Sequence, residues 1–150
     1  MDAVTYPDKK VATFIGEELI PIRVPYDAIP LAQDFNVKWT PTLVVLDTAG
    51  KEHYRTLGFI PPGELIASLL LGMGKSRFDL DDLKQAIEVF ERIIKDYPKS
   101  YYTPEAIYLR GVSLYKDTEQ GQHLKDIYEK LRTEYPESVW TSRSMPYRLL

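Results

Sequence analysis

A short motif that occurs twice limits most of what the second half of this chain can become. DYPKS at residues 96–100 returns as EYPES at residues 134–138, which places Pro98 and Pro136 38 residues apart (136 minus 98). The spacing ahead of each proline recurs as well. Gly74 and Gly111 lie 37 apart (111 minus 74), and each is followed four residues later by an aromatic ring, Phe78 or Tyr115. Phe90 and Tyr128 each stand eight residues before their proline. Apolar residues between these markers fall at helical spacing, and from Pro62 onward no stretch alternates as a strand does. A period of this length made of helix patterns describes stacked helical hairpins, because one hairpin cannot bury its apolar face alone. In this register Gly74 sits in the first helix of the first hairpin, with Met73 and Phe78 facing Ile87, Phe90 and Ile94 of the second.

The first half reads differently. Residues 2–16 end with Val11, Phe14 and Ile15 at helical spacing, and Gly16 is the expected C-cap. Residues 19–24, LIPIRV, alternate as an extended strand, although Pro21 and Pro25 limit which edge can pair. Residues 29–36 predict a short helix with Pro30 early in it. Residues 43–46 are continuously apolar, as in a strand covered on both faces. DTAGKE at 47–52 is a turn, and HYRTLGF after it alternates, so the two flanks form a hairpin. A helix then starts behind Pro61 and Pro62, with Leu65, Ile66 and Leu69 expected to cover the sheet.

Composition removes several function classes. A net charge of -3 and a pI near 5.4 leave no basic footprint for nucleic acid. The longest apolar run, residues 65–71, is interrupted by Ser68 and falls far short of the roughly 20 residues of a membrane span. MDAVTYPDKK has no apolar signal core, so the chain as written is expected in the cytoplasm. There is no cysteine, hence no disulfide, no thiolate nucleophile and no cysteine metal site. His53 and His123 lack the spacing of a metal site and read as solvated or capping residues. The pairs Glu17, Glu18 and Asp81, Asp82 read as solvated helix starts, the latter favoured by the positive helix end. Neither a glycine-rich phosphate loop nor a GxSxG elbow occurs. No catalytic residue, metal or cofactor is expected.

Two resemblances follow. WTPT at 39–42, running into an apolar strand, a hairpin, Gly58 and a helix, resembles the thioredoxin fold without its beginning. The resemblance implies a cis bond at Thr40-Pro41 and a peptide-binding edge formed by Trp39, Thr40 and Pro41. It also implies a first strand and a CxxC ahead of Met1, that strand lying between residues 19–24 and 43–46. Without it two strands would face each other across a gap, and self-association, a possible homodimer, is expected. The second half resembles tetratricopeptide repeats, whose usual period is about 34; the surplus is assigned to a longer turn at TPEA, residues 103–106. Tyr101, Tyr102, Tyr108 and Tyr115 with Arg110 would line a peptide groove on the concave face, or else pack in cores and interfaces. Trp140 and Tyr147 are expected to cap the last hairpin, where one more helix begins.

The expected fold class is therefore α/β, an incomplete thioredoxin-like sheet over residues 1–74, followed by an all-α tetratricopeptide-like region over 62–150, with the helix near 62–78 shared. The expected function is protein or peptide binding without nucleic acid or membrane. The alternative is a thiol-disulfide oxidoreductase whose first strand and CxxC are missing from this chain.

Overall fold

The computed structural model describes residues 1–150. The chain divides into two compact units, Met1–Ile66 and Ala67–Leu150.

In the first unit α1 (Lys9–Glu18) starts where the Asp8 carboxylate accepts hydrogen bonds from the amides of Lys10 and Val11, at 2.9 and 3.1 Å. Gly16 does not cap it. The helix runs on through Glu17 and Glu18 and ends at Leu19, whose backbone turns extended. Glu17 and Glu18 are solvated but lie at the end of this helix rather than its start, away from the favourable pole. Residues 19–25 then form no regular element, so the strand expected at 19–24 is absent. A strand needs a ladder partner, and the unit's one sheet contains only β1 (Thr42–Leu46) and β2 (Glu52–Leu57). Between residues 19–25 and β1 lies α2 (Leu31–Asp34), with Pro30 at its N-cap rather than inside it. The Ile29-Pro30 and Thr40-Pro41 bonds are cis.

The strands pair antiparallel, Thr42 opposite Leu57 and Val44 opposite Arg55, with a bulge between Val45 and Leu46. Gly58 donates to the Pro41 carbonyl at 2.8 Å and closes the open end of this ladder, in a positive-φ conformation that glycine adopts freely. At the turn, Asp47 accepts from the amides of Ala49 and Lys51, at 2.8 and 2.9 Å, and meets His53 Nε2 at 2.9 Å. The His53 side chain is fully buried, so it is a turn brace rather than a solvated residue. Its hydrogen bond is the largest influence holding the Asp47 carboxyl below the usual range. Arg55 grips both oxygens of Glu52 and donates to the Phe35 carbonyl at 2.7 Å, a cation at the C-terminal end of α2. Of β1 only Val45 is buried. The two-sided cover expected for 43–46 is absent because two strands supply too little surface to enclose their own middle.

The second unit is helical throughout, as the spacing predicts. The boundary after Ile66 falls inside α3 (Pro62–Asp79). Then follow α4 (Leu83–Asp96), α5 (Thr103–Thr118), α6 (Gln122–Glu134), α7 (Val139–Ser144) and a 3₁₀ segment (Met145–Leu149). Asp82 caps α4 by accepting from the Gln85 amide, as its position at a helix start implies. Each hairpin closes on a glycine. A methyl group at Gly74 would overlap the Phe90 ring, and one at Gly111 would overlap the Ile127 side chain. Both contacts span 16 residues (90 minus 74, 127 minus 111), so the counterpart of Phe90 is Ile127 and not Tyr128. The helix absorbs the odd residue just afterwards. Buried Ile93 follows Phe90 by three positions and buried Leu131 follows Ile127 by four, and both steps stay on one helix face.

Gly74→Ala is expected to destabilise the protein by about 1–3 kcal/mol through overpacking against Phe90. Gly16→Ala, in a helix with open space around it, should stabilise by about 0.4–1 kcal/mol. Denaturant unfolding of the two variants checks this, and equal effects would contradict the close approach.

Candidate functional site

The helical unit owes its regularity to a seven-residue motif at the helix-to-helix corner that occurs twice. Tyr97 and Tyr135 leave α4 and α6 with nearly the same backbone, φ -130° and ψ 48° against φ -138° and ψ 55°. Their amides still donate to Ile93 and Leu131, while their carbonyls turn out of the helix. Six residues on, a threonine reaches back. Thr103 Oγ1 donates to the Tyr97 carbonyl at 2.5 Å, and Thr141 Oγ1 to the Tyr135 carbonyl at 2.6 Å. Inside each loop a serine hydroxyl, Ser100 or Ser138, accepts from the amide two residues ahead at 3.2 Å. The full motif is therefore Tyr-Pro-X-Ser-X-X-Thr at 97–103 and 135–141. The two threonines went unnoticed in the sequence, though their shared offset from the tyrosines would have revealed them. They also correct the placement of the long turn, since residues 103–106 are the first turn of α5 and the loop is 97–102.

This latch sets the helix faces. Lys75 of α3 pairs with Glu105 of α5, and Lys116 of α5 sits 4.8 Å over the Phe78 ring while pairing with Asp81 at 3.0 Å. The first helices of the two hairpins thus run side by side. Successive turns are tied as well, because the Tyr135 hydroxyl donates to the Pro98 carbonyl at 2.6 Å.

The tyrosines singled out in the sequence occupy different places. Tyr108 packs against Trp140 with ring centres 5.0 Å apart and stacks on Tyr147 at 5.8 Å. The hydroxyls of Tyr108 and Tyr147 are 2.7 Å apart. These rings cover Ile107, Ile127 and Leu131, so Trp140 and Tyr147 close the last hairpin. Tyr115 lies seven residues on along the same stripe of α5 and is exposed at its last turn. Arg110 is two residues from Tyr108 and so on the opposite side. There its guanidinium holds Glu91 Oε1 of α4 through two bonds of 2.9 and 2.7 Å. It borders an open cleft of about 630 Å³ that is walled mainly by charged side chains of α4, with Lys130 of α6. Tyr102 is the half-buried N-cap of α5, and Tyr101 beside it is largely exposed. The four residues Tyr102, Tyr108, Arg110 and Tyr115 therefore do not converge on one spot.

In the first unit Trp39 is 70% exposed, and with Thr40, Tyr26, Val37 and Lys38 it lines a shallow cleft of about 200 Å³. Pro41 next to it is half-buried at the start of the β1 ladder. The Trp39 carbonyl accepts from the Thr42 hydroxyl at 2.6 Å and the Pro41 carbonyl from Gly58, so the exposed aromatic face is what this site offers a peptide segment.

Burial, and then the hydrogen bond to Tyr108, push the Tyr147 phenol up to about 12. A folded value above the ordinary value near 10 means that the neutral phenol stabilises the C-terminal segment below that pH. This contribution is lost as pH rises from about 10 through 12. In a Trp39→Phe background, Trp140 fluorescence should report release of the 3₁₀ segment in that window, and Tyr147→Phe should abolish the transition. An unchanged transition in Tyr147→Phe would assign it elsewhere.

No helix of the protein is long and apolar enough to cross a membrane. The family model for the tetratricopeptide repeat matches residues 68–100, from within α3 to the loop after α4. No curated protein and no solved structure matches the chain significantly. Residues 68–100 are thus a tetratricopeptide repeat match inside a helical, repeat-like region.

Proposed function

We propose that this chain is a protein-binding module whose helical hairpins hold a protein or peptide partner. The observation that supports this most is the repetition of one hairpin and one loop around a tetratricopeptide repeat match, an architecture that generally builds binding surfaces from stacked helices. Tyr115 supplies exposed aromatic area and half-buried Tyr102 a smaller share, Arg110 supplies charged donors at the cleft, and Tyr108 braces the stripe from beneath. Trp39, Thr40 and Pro41 form a second contact site in the first unit.

The finer reading of residues 1–74 is a cysteine-free thioredoxin-like unit. Its support is the order WTPT, β1, Asp47 turn, β2, Gly58 and α3. Such a unit binds without redox chemistry, since disulfide exchange needs a thiolate that this chain does not contain. The purified chain is accordingly expected to reduce a disulfide substrate no faster than buffer; turnover above that rate would contradict a pure binding role.

Selection of displayed random peptides on the purified chain tests the function itself. Enriched peptides should lose about tenfold or more in affinity for Tyr115→Ala or Arg110→Glu, while Trp39→Ala reports on the second site. Failure to enrich any sequence, or enrichment indifferent to all three substitutions, would remove the proposal.

A further inference from the structure

Residues 20–24 belong to no regular element, carry no backbone hydrogen bond and expose their apolar side chains, Ile20 at 92% and Ile22 at 80%. In an extended chain alternate residues present their amide and carbonyl to opposite edges. One edge of this segment therefore carries Pro21, Arg23 and Pro25, two of which have no amide hydrogen to give. The other edge carries Ile20, Ile22 and Val24, each with a donor and an acceptor. When extended, the segment can pair on one side only, and its own chain gives it no partner.

The complementary group lies in the same unit. The bond from Gly58 to the Pro41 carbonyl shows that the odd-numbered residues of β1 face β2. Thr42 and Val44 consequently present their amides and carbonyls to the outer edge, where no strand is paired. A row of unpaired backbone groups beside apolar side chains accepts another strand and little else.

We infer that two copies of this chain associate by exchange, residues 20–24 of each copy adding as a strand to the outer edge of β1 in the other. Every copy carries one strand donor and one acceptor edge, so the contact is self-complementary and closes on a two-fold axis. It extends the β1–β2 ladder, sets Ile20 and Ile22 beside side chains of β1, and leaves the proline edge outward, where it blocks further growth. This inference concerns residues 20–24 and the β1 edge that continues from the Trp39, Thr40 and Pro41 contact proposed above, and it does not rest on that contact.

Proline scanning separates the two edges. Sedimentation velocity of the wild type should show a monomer–dimer equilibrium that depends on concentration. Ile22→Pro removes a donor on the pairing edge and should weaken the dimer roughly tenfold or more. Arg23→Pro removes a donor on the edge already blocked and should leave the dimer within about twofold of the wild type. Circular dichroism controls for folding, since neither amide carries a hydrogen bond within the monomer. Amide exchange at Val44 should slow as concentration rises. A wild type that remains monomeric at every soluble concentration, which would leave the edge to a foreign strand, overturns the inference. So does an equal effect of the two prolines.

Discussion

The helical unit depends on a threonine hydroxyl that reaches back to the carbonyl on which the previous helix ended. That carbonyl, from Tyr97 or Tyr135, has left the helix and would otherwise be an unsatisfied acceptor in a crowded corner. The bond from Thr103 or Thr141 satisfies it and fixes the first turn of the next helix, so one contact both ends an element and starts another. Both threonines are buried, which makes the bond more than a surface tether. Once the corner is fixed, the direction of α5 is fixed with it. Gly111 can then meet Ile127 at a distance no larger residue allows, and Tyr108 falls beneath Trp140. The unit behaves as one corner used twice, with side chains fitted to it.

The first unit has no equivalent device. Its buried apolar residues are few, chiefly Val11, Phe14, Val45, Ile60, Leu65 and Ile66, and Ile20, Ile22, Tyr26, Ile29 and Trp39 stand in solvent. Polar contacts carry more of the organisation. Asp47 gathers the hairpin turn, Arg55 ties β2 to α2, and the buried Thr5 hydroxyl donates to the Ile60 carbonyl at 2.7 Å. Such bonds fix geometry, but each contributes only about 0.5–1.5 kcal/mol net. A two-stranded ribbon needs additional cover to be stable.

The helical half was legible in the sequence because its signals are local. Gly74, Gly111 and the YPxS loops lie at fixed intervals, and helix periodicity does not depend on distant partners. The same local view misassigned Tyr128. The offset from Pro136 points to Tyr128, but a helix can absorb one residue between buried positions without changing its face. The strand at 19–24 was misread for the opposite reason. Its alternation is genuine, but a strand exists only with a partner, and partners are not written in the segment itself. His53 followed the same rule: it is polar in sequence, yet buried because Asp47, six residues earlier, accepts its ring. The groove tyrosines share a residue type rather than a place, and helix geometry separates Tyr108 from Arg110 by half a turn.

That separation bears on how a helical surface of this kind could discriminate among partners. Arg110 is not an unpaired cation awaiting an acid, because Glu91 already holds it through two bonds at a partly exposed position. An incoming carboxylate must displace Glu91 or engage the pair jointly, and exposed ion pairs of this sort are worth only about 0–1 kcal/mol. The exchange is therefore nearly neutral in energy, so charge at the cleft favours correct orientation more than tight binding. Affinity has to come from apolar and aromatic area, which on α5 lies along the opposite stripe ending at Tyr115. A partner that used both would have to wrap around α5 instead of lying in a single groove, and an extended peptide can do this more readily than a rigid globular surface.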